Sequence, residues 1–113
     1  MIQLAAAGLA LASLFAQHHR APLDPPPTQT ALASWYDQGG VGACGMDAQA
    51  GLGFASLFLA CRTRVEFCYR GCVVATMDDH GPYVSGRAFD LNANLRAAIG
   101  CPDLCTVRWR LAR

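Results

Sequence analysis

Two aspartates lie close in sequence to a short segment, residues 79–83, that contains glycine and proline. Asp79 opens this segment, which reads Asp-His-Gly-Pro-Tyr, and Asp90 follows it. Two carboxyl groups that meet in a fold can act as a general acid and as a base or charge-stabilising group. The alternative roles are structural: Asp79 would hold the turn before Gly81-Pro82 through hydrogen bonds to the backbone, and Asp90 would cap the helix region. The sequence leaves both roles open.

The elements that must position these aspartates are predicted from local patterns. Residues 65–74 predict a β-hairpin whose turn would place Gly71 at a positive φ angle. Asn92 is predicted to cap a short helix over residues 93–99. Residues 106–111 alternate between polar and apolar types, which predicts a closing strand with one wet face. The fold class is therefore mainly β.

Six cysteines in so short a chain indicate a disulfide framework in an oxidising compartment. Two pairings are local, because Cys68 and Cys72 bracket the predicted hairpin turn and Cys101 and Cys105 enclose three residues. The predicted third disulfide then joins the remaining cysteines, Cys44 and Cys61. A zinc site made from the two Cys-x3-Cys pairs is the alternative.

The composition allows one domain. The chain has 113 residues, a net charge of +1, 53% hydrophobic and 15% charged residues, so it can form a core but has no general attraction for nucleic acid. We expect no nucleic-acid partner, no cofactor and no bound metal, and a monomeric protein.

The chain divides into three segments by composition. Residues 1–16 are almost wholly apolar and predict a signal peptide or N-terminal apolar anchor, the one part expected to contact a membrane. Residues 17–32 are rich in proline and predict a linker. Residues 33–113 are expected to form the folded domain. The predicted location is secreted, either extracellular or in the cell envelope.

The segment 77–91 resembles the RlpA-like double-psi β-barrel family, whose signature joins an Asp-Arg-Gly-Pro turn to Gly-Arg and then to hydrophobic-Asp-Leu before a helix. Residues 33–36 resemble the opening strand of that family, and residues 63–65 resemble a later strand. The Gly-Ala-Cys-Gly sequence at 42–45 is similar to that of the related expansins and barwin-type proteins. The resemblance implies a six-stranded double-psi β-barrel with one short helix, which the predicted disulfides would staple.

The resemblance also implies a secreted cell-wall protein that binds peptidoglycan or a related wall polysaccharide. Cleavage of glycan strands as a lytic transglycosylase would use Asp79 as the acid and base, with Asp90 assisting. The active-site histidine of the family is missing, and an ungapped alignment puts Ser56 at its position. Whether the chain is an enzyme therefore stays open. The alternatives are a non-catalytic, expansin-like wall-binding or wall-loosening module and a phage lysis or virion accessory protein.

Several side chains are candidates for binding the glycan. Tyr83, Trp35 and Tyr36 carry flat rings that can stack on sugars, although core packing explains Trp35 equally well. Arg87 can bind a carboxylate of muramic acid or of the wall peptide, or form an ordinary surface salt bridge. His80 stands where the family has arginine. The further candidate carboxylates are Asp37 and Asp78.

Overall fold

The computed structural model describes residues 27–113, which form a closed barrel of six strands with one short helix. The elements are β1 Gln29–Tyr36, β2 Gly53–Ser56, β3 Arg64–Cys68, β4 Cys72–Asp79, β5 Phe89–Asn92, α1 Ala93–Ile99 and β6 Cys105–Leu111. This confirms the predicted mainly β, six-stranded barrel with one helix. The apolar segment 1–16 and the linker as far as residue 26 lie outside the described residues.

The strand order around the barrel is β1-β5-β2-β4-β3-β6. β1 pairs in parallel with β5, and β2 pairs in parallel with β4, whereas the other neighbours are antiparallel. Parallel neighbours cannot be joined by a tight hairpin, so the chain between them must cross from one end of the barrel to the other. Within residues 27–113, no helix is long and apolar enough to span a bilayer.

Aromatic side chains fill the barrel interior. Phe54, Phe67 and Phe89 are fully buried and meet edge to face, with ring centroids 4.8 to 5.6 Å apart. Trp109 packs against Phe89 at 5.1 Å. Each buried ring contributes about 2 to 3 kcal/mol of hydrophobic stabilisation. The cluster therefore holds the strands together from inside the barrel.

The predicted hairpin and helix are both confirmed. β3 and β4 pair from Arg64 to Cys68, but Gly71 does not adopt the expected positive φ. The turn closes instead with the Tyr69 N–H donating to the Gly71 carbonyl at 3.0 Å, a geometry that needs no left-handed residue. At the start of α1, the Asn92 side chain accepts a hydrogen bond from the Leu95 N–H, as predicted.

All three predicted disulfides are present: Cys44–Cys61, Cys68–Cys72 and Cys101–Cys105. Both Cys-x3-Cys pairs are therefore oxidised, and the thiolates that the alternative zinc site would need are not available. The disulfides tie the loop after β1, the hairpin and the loop before β6 to a small core.

The first strand begins earlier than the composition indicated. β1 starts at Gln29, inside the range predicted to be linker, and residues 29–33 pair with Trp109 through Cys105 of β6. The predicted domain boundary at residue 33 is therefore too late. The partner strand satisfies the backbone of residues 29–32, and this long-range pairing is not visible in local composition.

Candidate functional site

Four residues in register across four neighbouring strands form the floor of an open groove. Ser34 on β1 pairs with Asp90 on β5, Asp90 pairs with Ala55 on β2, and Ala55 pairs with Asp79 on β4. Paired residues point to the same face of a sheet. One strand separates the two aspartates, so their Cα atoms lie about 10 Å apart, or two strand spacings.

The cavity above this floor, which we call the groove, has a volume of about 320 Å³. Residues 34–36 and 79–84 line it, together with Gln38, Ala55, Arg87 and Asp90. The structure thus brings together Asp79, Asp90, Tyr83, Trp35, Tyr36, Arg87 and His80, whereas the further candidates Asp37 and Asp78 do not line the groove.

A β-bulge aims Asp79 into the groove. Phe54 pairs with Met77 but the next residue, Ala55, pairs with Asp79, so Asp78 is the extra residue on β4. Strict alternation from the buried Met77 would turn Asp79 inward. The extra residue reverses the alternation, which is how bulges re-aim side chains beside functional sites.

Asp79 ties a loop to the end of β4. Its Oδ1 accepts hydrogen bonds from the backbone N–H groups of Ala43, at 2.7 Å, and His80, at 2.8 Å. Gly42 permits this close approach, because a Cβ there would lie 2.7 Å from the Asp78 carbonyl oxygen and 2.9 Å from the Asp79 Cγ. The structural role considered for Asp79 is therefore present, with Oδ1 engaged and Oδ2 left for a ligand.

Asp90 has the environment of a proton donor. Ser34 Oγ donates to its Oδ1 at 3.1 Å. Burial raises the pKa of Asp90, whereas the Ser34 hydrogen bond and the positive charge of Arg87 act in the opposite direction. A carboxyl group with a raised pKa is the better general acid near neutral pH. The helix-capping role considered for Asp90 is wrong, because Asn92 caps α1.

Asp78 is buried beneath the groove with an exposed fraction of 2%. Its Oδ1 accepts a long hydrogen bond, 3.5 Å, from the Tyr36 hydroxyl. Burial, followed by the charge of Asp79, raises the pKa of Asp78 to about 7. Gly53 makes room for this carboxyl group, since a Cβ at that position would lie 1.9 Å from Asp78 Oδ2. The sequence indicated Asp78 as a candidate carboxylate of the site, but its burial follows from the β-bulge, which the sequence did not predict.

The three aromatic candidates differ in availability. Tyr83 is 80% exposed and forms a wall of the groove. Trp35 is held by the protein: its indole N–H donates to Asp103 at 3.0 Å, and the Arg96 guanidinium lies 4.1 Å from its ring centre. Tyr36 lines the groove with its hydroxyl directed at Asp78 and the Ala48 carbonyl. Tyr83 is therefore the ring best placed to stack on a ligand.

Ser56 does not face the groove. It is fully buried, and its hydroxyl accepts the N–H groups of Phe58 and Leu59 after β2. Ala55, rather than Ser56, is the β2 residue that lies between the two aspartates. Asp37 is exposed and does not line the groove, whereas His80 is exposed within it.

Within the described part of the chain, one group of side chains has the proximity of metal ligands. The ligand atoms of Cys44, Cys61 and His80 lie within 4.8 Å of one another. Both sulfur atoms belong to the Cys44–Cys61 disulfide, so this group does not present thiolate ligands.

No family model matches this chain, and no curated protein matches it. Among solved structures, the chain is similar to the Streptomyces papain inhibitor, at 22% identity and a TM-score of 0.64, covering 81% of this chain and 100% of that one. It is also similar to an expansin of Clavibacter michiganensis in its apo form, at 20% identity and a TM-score of 0.64. A point mutant of that expansin in complex with cellohexaose gives 19% identity and a TM-score of 0.65.

The two expansin matches cover 77% of this chain and 51% of the expansin, so the chain spans about half the length of that protein. At these identities the likeness concerns the fold. Together with the strand order and the two parallel pairs described above, it identifies the chain as a double-psi β-barrel.

Proposed function

We propose that the groove binds a strand of cell-wall polysaccharide, as an expansin-like module of a secreted protein. One observation carries this proposal. The groove has a floor with three polar side chains, in the row Ser34-Asp90-Ala55-Asp79, and the exposed ring of Tyr83 lies beside that floor. Sugars offer hydroxyl groups to polar side chains and flat C–H faces to aromatic rings. An open groove also suits a polymer, whose ends must extend beyond the site.

The complex of a similar expansin with cellohexaose supports a glycan ligand for this fold. We propose peptidoglycan or a related wall polysaccharide as the ligand here, in keeping with the RlpA-like signature of residues 77–91.

Sedimentation with insoluble peptidoglycan sacculi and with cellulose tests this proposal. Tyr83→Ala should weaken binding roughly fivefold to tenfold, because it removes the stacking surface. Leu104→Ala is the matched control, since Leu104 is an exposed apolar residue outside the groove. If the wild-type protein sediments with neither polymer above the level of an unrelated globular domain, the proposal is wrong.

We further propose that, if the groove cleaves glycan strands, Asp90 rather than Asp79 supplies the acid. Asp79 Oδ1 is engaged by two backbone N–H groups, whereas burial raises the pKa of Asp90. In a lytic transglycosylase the proton moves from the acid to the leaving oxygen, and the substrate's own hydroxyl then attacks with the same carboxylate as base.

Release of anhydromuramyl sugars from denuded glycan strands measures this activity. Asp90→Asn should reduce the release by roughly 10² to 10⁴, while the variant still folds and still sediments with sacculi. Asp79→Asn keeps an oxygen acceptor for both N–H groups and should retain part of the activity. The absence of anhydro product from the wild-type protein would assign the groove to binding alone.

A second candidate function is inhibition of a cysteine protease. The observation that favours it is an exposed apolar edge beside the groove, where Leu57, Tyr83 and Val84 are each more than half exposed. The structural similarity to the Streptomyces papain inhibitor, which extends over the whole of that protein, is consistent with this function. Hydrolysis of a peptide substrate by papain, with and without the oxidised protein, decides it: an unchanged rate at a large excess of the protein rejects inhibition.

A further inference from the structure

Arg87 lies where two cavities meet. The groove and a second cavity of about 410 Å³, which we call the side cavity, share residues 82–84 and Arg87. Leu57 and residues 85–86 complete the side cavity. Arg87 is therefore within reach of a ligand in either cavity.

The backbone fixes the position of Arg87. Its N–H donates to the Val84 carbonyl at 3.2 Å, which closes a turn with Gly86 at φ +85°. The next residue, Ala88, donates to the Leu32 carbonyl of β1 at 2.9 Å. A positive φ at the third position of such a turn favours glycine, so this short segment is built to present Arg87 at the mouth of the groove.

The guanidinium of Arg87 has no close partner within residues 27–113. Three of the described arginines are partly buried: Arg87, Arg96 and Arg110. Arg110 forms an ion pair with Glu66 at 2.8 Å, and Arg96 stacks on Trp35 and donates to the Pro102 carbonyl. Arg87 makes no side-chain hydrogen bond or ion pair to the described residues, and its charge acts on Asp90 only from a distance.

Arg87 is partly buried as a residue, and its guanidinium forms no ion pair with the described residues, so its donors are available to an anion in either cavity. Its planar set of donors matches a carboxylate through two parallel hydrogen bonds. The exposed ring of Tyr83 lies in the same wall of both cavities, where it can stack on the sugar that bears the carboxylate.

We propose that Arg87 forms a carboxylate subsite, so that the groove selects acidic glycans over neutral ones. This inference rests on the proposed glycan-binding function and adds the class of glycan to it.

Isothermal titration calorimetry with hexagalacturonate and with cellohexaose tests the subsite. The wild-type protein should bind the acidic hexamer roughly ten- to hundredfold more tightly, which is the effect expected of a charge-assisted pair. Arg87→Gln should abolish this preference, because it weakens binding of the acidic hexamer far more than binding of cellohexaose. Arg108→Gln is the matched control, since Arg108 is exposed on β6 and outside both cavities.

Three outcomes would overturn the subsite. The wild-type protein binds the two hexamers equally well, or Arg87→Gln weakens both to the same extent, or a poly(glycerol phosphate) chain binds more tightly than hexagalacturonate. The last outcome would show a phosphate site instead. Failure to bind hexagalacturonate more tightly than cellohexaose rejects the subsite alone, whereas failure of the wild-type protein to sediment with both sacculi and cellulose rejects the glycan-binding function as well.

Discussion

Replacing Asp78 by asparagine should stabilise the barrel at alkaline pH and leave its stability nearly unchanged at acidic pH. Asp78 is 2% exposed, and its carboxyl group accepts a long hydrogen bond from Tyr36. Its pKa is raised from 3.8 to about 7, first by burial and then by Asp79. Asparagine has the shape of the protonated acid and carries no charge.

The magnitude follows from linkage between protonation and folding. A raised pKa means that the folded state holds the proton more tightly than the unfolded chain, so stability falls as pH rises through the interval between the two values. Each unit corresponds to about 1.4 kcal/mol. The shift of Asp78 therefore costs the wild-type protein about 4 kcal/mol above pH 7, and nothing below about pH 4.

Urea denaturation of the oxidised protein at about pH 4 and about pH 8 measures this cost. The difference between variant and wild type isolates Asp78 from other groups that titrate, among them Asp90. Asp37→Asn is the control, because it removes a negative charge from an exposed position on the loop after β1 rather than from the interior. If Asp78→Asn is no more stable than the wild type at about pH 8, a buried ionised Asp78 is not destabilising and the reasoning is wrong.

Three further predictions concern the same groove and its supports. Asn92→Ala should lower the free energy of unfolding by about 1 to 3 kcal/mol in urea titrations, because it removes the cap of α1 and one of the two donors to each of the Ala48 and Gly51 carbonyl groups. Ser34→Ala should raise the pKa of Asp90 further, since the Ser34 hydrogen bond favours the charged form; carboxyl-detected NMR titration measures it, and an unchanged or lowered value contradicts the assignment. Replacing Cys44 and Cys61 together by alanine should cost about 3 kcal/mol, as expected for a disulfide that closes a loop of this length; an equally stable double variant would show that the fold does not depend on this link.

The features that the sequence predicted well are those with local causes. The Asn92 cap, the hairpin at residues 65–74 and the Cys101–Cys105 pairing each depend on residues a few positions apart. The resemblance of residues 77–91 to the motifs of RlpA-like proteins predicted the number of strands, which the structure confirms. None of these inferences needed knowledge of a distant partner.

The features that it missed depend on contacts between distant strands. The early start of β1 requires its pairing with β6, and the place of Ala55 between the aspartates requires the register of β2 against both β4 and β5. The bulge at Asp78 had one visible sign, the doublet of aspartates at the end of an apolar strand. A strict alternation could bury only one of them, and the sequence alone did not say which.

β6 is the strand that closes the barrel, because it pairs with β1 on one side and with β3 on the other. During synthesis, β1 through β5 leave the ribosome first, with the edges of β1 and β3 still unpaired. Unpaired edges are the sites at which chains associate wrongly, and Cys105, on β6, is also the last cysteine to be made. The chain therefore cannot complete its fold until residues 105–111 are available, so a barrel of this topology stays open while it is being made and closes in one late step.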